Sequence, residues 1–205
     1  MKKQFLLLLL ICASFASRAQ YGINAGFLKP SSDFGYIFKP AASFGLVYYL
    51  TTLDERFQTS LAASFSSFTP RQDTFFSYGV QSGGSGTFYL PAYDVWHSYY
   101  MLSGRVQGDF LILDKDFTPT IGYGLFANNT MYNHDGVLQT AVSSSEIGSD
   151  VFLGYMLKAG LLYRINDTFQ FKINAGRVRA KSFTTGVKSP YYLIEFEFAI
   201  DFDEL

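Results

Sequence analysis

From Tyr191 to Phe202 the chain reads YYLIEFEFAIDF, and one set of alternate residues, Tyr192, Ile194, Phe196, Phe198, Ile200 and Phe202, is wholly apolar. The intervening set, Leu193, Glu195, Glu197, Ala199 and Asp201, carries three carboxylates. Successive side chains of a β-strand point to opposite faces, so this pattern predicts a strand with one apolar and one polar face. Segments near 21–28, 41–50, 57–68, 98–113, 117–127, 151–165 and 169–181 alternate in the same way; with 190–202 they predict eight strands. None shows a convincing helical period. Pro30, Pro40, Pro70, Pro91 and Pro190 fall in loops or at strand ends, and Pro119 near a strand start, where its missing N–H is tolerated.

The connections alternate between short and long. Thr51–Arg56, Asp114–Asp116 and Asn166–Thr168 are short, Asp-rich and lead into phenylalanine; Lys29–Pro40, Thr69–His97, Asn128–Asp150 and Ser182–Ser189 are long. Such a sequence fits an up-and-down antiparallel meander closed into a barrel. The stretch QSGGSGT, 81–87, reads as a flexible linker inside the second long connection.

The apolar parity includes Ile23, Phe44, Leu46, Leu61, Phe65, Leu102, Val106, Ile121, Leu125, Leu153, Leu157 and Ile173; the other is small, as at Gly45, Ser64, Ser103 and Gly122, or charged. A soluble barrel would bury the apolar parity, and a transmembrane barrel would turn it to lipid. Three features favour the membrane. So aromatic a set on every strand would overfill the narrow interior of an eight-stranded barrel. The Gly- and Ser-rich set suits a crowded lumen better than a water face. Short turns at one rim with long loops at the other, and strands of about ten residues, match outer-membrane barrels. The fold class expected is therefore all-β, an eight-stranded antiparallel up-and-down transmembrane β-barrel.

The opening YGINAGFLKP (21–30) and the last alternating strand ending at Phe202 carry a resemblance to the small eight-stranded outer-membrane barrels of Gram-negative bacteria, of the OmpA-transmembrane, OmpX and PorT-like type. The tail Asp203-Glu204-Leu205 departs from the pattern, in which the aromatic is usually the last residue. The resemblance implies a cell-surface, outer-membrane location and a porin-like architecture, and it is weak for activity.

The polar parity places Arg105, Lys158 and Lys172 at depths close to those of Asp109, Glu195 and Glu197. Buried charges persist when paired and hydrogen-bonded, so a lumenal network of these six residues is expected, with Lys172 the first choice of partner for Glu197 on the neighbouring strand.

Composition adds the compartment. Lys2 and Lys3, the apolar run Phe5 to Ala16 and the motif Ser17-Arg18-Ala19 form the layout of a cleaved signal peptide over residues 1–19, followed by a barrel domain over 20–205. The run is too short for a membrane-spanning helix, which needs about 20 residues. Cleavage removes Cys12, the only cysteine, and with it any disulfide or thiol chemistry. It leaves 13 basic and 17 acidic residues and no basic stripe of the kind nucleic-acid binding needs.

Candidate chemistry is sparse. Small outer-membrane barrels that modify lipid A use a His and a Ser near the outer membrane surface, and His97-Ser98 or His134 with Ser143 to Ser145 are the residues available. Neither sits in a matching motif; His97 beside Trp96, Tyr99 and Tyr100 reads instead as part of an aromatic interface girdle, and His134 as a turn residue. Asp114 and Asp116, or Asn133 and Asp135, need no metal to explain them in turns. No catalytic residue, metal or cofactor is expected.

The second long connection holds Phe75, Phe76, Tyr78, Tyr89, Tyr93 and Trp96, too many aromatics for a loop that meets only water. Contact with a protein partner through the outer loops, packing across the barrel mouth, or contact with membrane lipid and lipopolysaccharide would each explain them, and these are the candidate interaction residues. The function expected is a non-enzymatic structural or interaction platform. The alternative is an accessory subunit of an outer-membrane secretion, assembly or uptake machine; a lipid A-modifying enzyme or narrow solute channel ranks lower.

Overall fold

The computed structural model describes residues 20–50, 56–83, 86–112, 116–138, 141–166, 168–184 and 186–201, without the side chains of 77–83, 86–91, 138 and 141–145. The signal peptide, Phe202 with the tail after it, and Asp114 lie outside the described residues. In chain order the elements are β1 (Gln20–Pro30), α1 (Ser32–Ile37), β2 (Ala41–Tyr49), β3 (Phe57–Phe68), β4 (Thr74–Gly83), β5 (Gly86–Leu111), β6 (Phe117–Leu138), β7 (Ala141–Arg164), β8 (Phe169–Ser182) and β9 (Tyr191–Asp201).

Every ladder is antiparallel. β1 pairs with β2 on one side and with β9 on the other, from Gln20 opposite Asp201 to Pro30 opposite Tyr191. The order continues β9-β8-β7-β6-β5, and β5 closes on β3 from Phe57 opposite Phe110 to Phe68 opposite Tyr99. Eight strands thus form a closed up-and-down barrel, which leaves no open sheet edge around the ring. β4 stands outside the ring, paired with the first half of β5.

The faces divide by the parity seen in the sequence. Leu46 is 66% exposed, and Ile23, Phe44, Ile121, Leu125, Leu157 and Ile194 also point outward. Ser64, Ser103, Arg105, Asp109, Lys158, Lys172, Glu195 and Glu197 are buried inside. An apolar belt around a polar interior is the arrangement of a membrane-spanning barrel, because hydrocarbon is the one solvent in which that belt costs nothing. The interior is crowded: a Cβ on Gly45 would lie 2.1 Å from the Ala63 carbonyl oxygen and 2.6 Å from Asn24 Oδ1. Only glycine lets the wall approach its own contents this closely.

Three expectations need correction. The second and third long connections are not loops: β5, β6 and β7 run on past the barrel rim, and with β4 form a four-stranded sheet above the mouth. Of QSGGSGT, residues 81–83 and 86–87 are ladder positions rather than linker, pairing as far as Gly83 opposite Gly86, and 84–85 lie outside the described residues. Main-chain pairing with neighbouring strands, which a single-strand pattern does not reveal, extends these segments. Third, a helix exists. α1 is six residues long, too short to display a 3.6-residue period, and it lies across the mouth with Phe34 buried. Its entry is held by Ser31, whose N–H and Oγ both donate to the Pro190 carbonyl oxygen at 3.0 Å.

Candidate functional site

Within the barrel, Arg105 on β5 reaches the opposite wall and makes a two-pronged contact with Glu195 on β9, through Nη1 to Oε2 at 3.2 Å and through Nη2 to Oε1. Asp109, two pleat repeats further along β5, receives two lysines: Lys158 Nζ at 2.9 Å from Oδ1 and Lys172 Nζ at 3.0 Å from Oδ2. Lys158 also donates to Gln107 Oε1 at 3.2 Å, and Lys172 to Gln58 Oε1 at 3.1 Å and the Tyr49 hydroxyl at 3.4 Å. Gln170 Nε2 closes the set on Tyr49 at 3.3 Å. Three cations and three carboxylates thus share one buried layer, and their short ties cross the lumen between strands that are not neighbours.

Glu197 meets its expected partner Lys172 only at the far end of ion-pair distance. The register sets it opposite Lys172, yet the ammonium stands 3.9 Å away and spends its short contacts on Asp109, Gln58 and Tyr49. Neither oxygen of Glu197 has a hydrogen-bond partner. Lysine offers three donor hydrogens, and the three nearer acceptors take them. Asp109 is therefore the hub of the network. Beside it, the cavity lined by Arg105, Ser64, Ser103 and Met156 holds about 10 Å³, room for no more than about one water.

Above the network the mouth is filled by aromatic rings. Phe34 of α1 packs on Phe38, Phe68 and Tyr99, with centroids 5.1–5.5 Å apart. Trp96 meets Phe38 at 5.3 Å and Tyr132 at 5.9 Å. The loop between α1 and β2 is tied to the base of the outer sheet by Lys39 N–H to the Thr69 carbonyl and Arg71 N–H to the Ile37 carbonyl. An open cleft of about 240 Å³ remains over this cluster, walled by Phe34, Trp96, Tyr132 and Phe152 and rimmed by Asp33, Asp150 and Lys188.

The six candidate interaction aromatics do not form one surface. Phe75 is buried, with Tyr36 packed edge-on at 5.6 Å. Phe76 is exposed and pairs with half-buried Tyr93 at 5.7 Å. Trp96 belongs to the mouth cluster and Tyr99 is buried there, so neither joins a lipid-facing girdle; of the set around His97 only Tyr100 points outward. The side chains of Tyr78 and Tyr89 lie outside the described residues. Sequence reading missed Ile147, 86% exposed on the outer part of β7, and Phe183 and Val187 in the last long loop.

The histidines pair with aspartates. His97 occupies a bulge between Trp96 and Ser98, and its Nε2 lies 2.9 Å from Asp135. His134 packs against Trp96 with the rings tilted and their centroids 4.6 Å apart, and it approaches Asp94 at 3.3 Å. Strand alternation puts the two pairs on opposite faces of the β5–β6 ladder, so they share no common site; the side chains of Ser143 to Ser145 lie outside the described residues.

A further feature escaped the pattern reading. On the outward parity of β8, apolar residues at Phe169, Phe171 and Ile173 give way toward the loop end to Arg177, Arg179 and Lys181. The signal was present in the sequence as a change of chemistry along one face of one strand.

No family model matches the sequence, and no curated protein matches it. Among solved structures the barrel is similar to Neisserial surface protein A, at 12% identity and a TM-score of 0.53, over 90% of this chain and 97% of that one. Ail, the attachment invasion locus protein of Yersinia pestis, matches at 15% identity and a TM-score of 0.48, over 89% of this chain and 99% of that one. The outer membrane protein OprG of Pseudomonas aeruginosa matches at 14% identity and a TM-score of 0.44, over 90% and 97%. At these identities what is shared is the fold, that of the small eight-stranded outer-membrane barrels.

Proposed function

We propose that this chain resides in the outer membrane and acts there as a non-catalytic platform whose outer sheet binds a protein partner. The observation that carries this reading is the projecting sheet. Its strands are continuous with the barrel wall, which fixes its orientation to the membrane. Among the described residues its order ends at β4 on one side, and on the other the outer part of β7 pairs with β6 alone. Such edges offer unpaired main-chain groups, and a partner strand adds to them readily. Exposed Phe76 and Ile147 supply apolar anchors beside these edges. The interior supports the same reading: among the described residues the lumen is filled by buried charged and polar side chains and capped by aromatics, which suits a platform better than a conduit for solutes.

The test is site-specific photocrosslinking in intact cells, with the probe placed at Phe76, at Ile147 and, as a control, at lipid-facing Ile121. Discrete protein adducts from the first two and none from the third are expected. An adduct pattern shared by all three positions would count against a partner on the outer sheet.

A further inference from the structure

The outer wall of β8 carries a concentrated positive charge that neither the lumen nor the outer sheet explains. Arg177, Arg179 and Lys181 project from its loop-side half, and Lys188 returns from the following loop to pair with Lys181. Like charges directly opposite each other across a ladder repel and destabilise it. None of the ion pairs among the described residues involves these four side chains. Tyrosines hold the two guanidinium groups instead: Arg177 lies over the Tyr192 ring, 5.6 Å from its centre, and Arg179 Nη1 donates to the Tyr155 hydroxyl at 3.4 Å. Between these groups the wall is indented, forming an open groove of about 380 Å³ floored by Gly154 and Ala180.

The surroundings decide what fills it. Arg177 is in register with Leu157 on one side and Tyr192 on the other, and Lys181 with Leu153. Leu153, Leu157 and Ile194 belong to the outward apolar belt. A ligand seated on the four cations therefore has acyl-chain surface directly beside it, which suits an amphiphile and wastes half the site for a soluble anion. We infer that the outer face of β8 is a binding site for a phosphorylated glycolipid headgroup of the outer leaflet. In it Arg177, Arg179, Lys181 and Lys188 neutralise the phosphates, and the acyl chains lie along Leu153, Leu157 and Ile194. Arginine forks match phosphate oxygens in pairs and lysines add point charge. The inference rests on the outer-membrane reading given above.

The experiment uses the full chain refolded into phosphatidylcholine vesicles containing diphosphorylated lipid A or its dephosphorylated form. Protein is then extracted in mild detergent, and the lipid that stays bound is measured by native mass spectrometry. Wild type is expected to retain the phosphorylated lipid selectively. A basic side chain near an anionic lipid surface contributes about fivefold in affinity. The R177Q/R179Q/K181Q/K188Q variant should therefore retain at least about tenfold less, while K39Q and R56Q, at exposed sites elsewhere, retain as much as wild type. Equal retention by the fourfold variant overturns the site. Equal retention of the dephosphorylated lipid overturns the role of the phosphates. Displacement by inorganic pyrophosphate alone would make this a soluble-anion site and overturn the lipid assignment. A chain that does not enter the vesicles at all overturns the outer-membrane reading itself, whereas one that inserts and binds both lipids alike overturns only this inference.

Discussion

Replacing Asp109 by asparagine removes the one carboxylate that two buried lysines share. In the wild type, Lys158 and Lys172 lie 2.9 and 3.0 Å from its two oxygens. At an effective dielectric constant of about 20 each such contact is a gross attraction of roughly 5–6 kcal/mol, and the 3.9 Å contact of Lys172 with Glu197 roughly 4. Desolvation offsets much of this, so the gross values rank the positions without measuring them. After Asp109→Asn, Lys158 has only neutral acceptors at hydrogen-bond distance, the Gln107 oxygen and the new amide oxygen, and no counter-charge there. Removing one member of a buried pair costs about 3–5 kcal/mol, and Asp109→Asn is expected within that range. Glu197→Gln should cost less than about 1 kcal/mol, because the carboxylate it replaces is buried without a hydrogen bond and its desolvation is offset only by the longer Lys172 contact. The double variant Asp109→Asn/Lys158→Met should recover part of the loss. Urea unfolding in phospholipid vesicles, followed by fluorescence of Trp96, the single tryptophan of the chain, and by the gel-mobility shift between folded and boiled protein, measures all three. If Glu197→Gln proves as costly as Asp109→Asn, the network is not centred on Asp109.

Two further outcomes follow from the faces and the lumen. Leu46→Arg puts a charge on the lipid face and should cost up to about 2–4 kcal/mol depending on its depth, measured in the same unfolding assay; a neutral result would mean that the outward parity does not face hydrocarbon. Protein reconstituted in planar bilayers should give no steady single-channel current, since the interior of an eight-stranded barrel is filled by its own side chains; a stable large conductance would turn the function toward a channel.

Strand existence and the inward or outward sense of each residue were legible in the amino-acid pattern, because period-2 alternation is a local property and lipid outside with charge inside leaves it on every strand. Glu195, Glu197 and Lys172 were recognisable as lumenal for that reason alone. Strand ends at the outer side were not. The alternation fades past Ser98 and Ala127, and it is pairing of β4, β5, β6 and β7 with one another that keeps those segments extended. Phe75 and Phe76 illustrate the same limit: adjacent in sequence and alike in chemistry, one is buried and the other exposed because the path of α1 puts Tyr36 against the first. The partners within the lumen also needed the tertiary structure. Register alone matches Lys172 with Glu197, but a lysine side chain is long enough to cross a narrow barrel, and closure brings Asp109 from β5 within 3.0 Å of it. Sequence therefore determined which residues are inside and which outside, a matter of local periodicity and solvent; closure of the sheet decided which of the inside residues meet, because contacts across the lumen join strands that no neighbour relation connects.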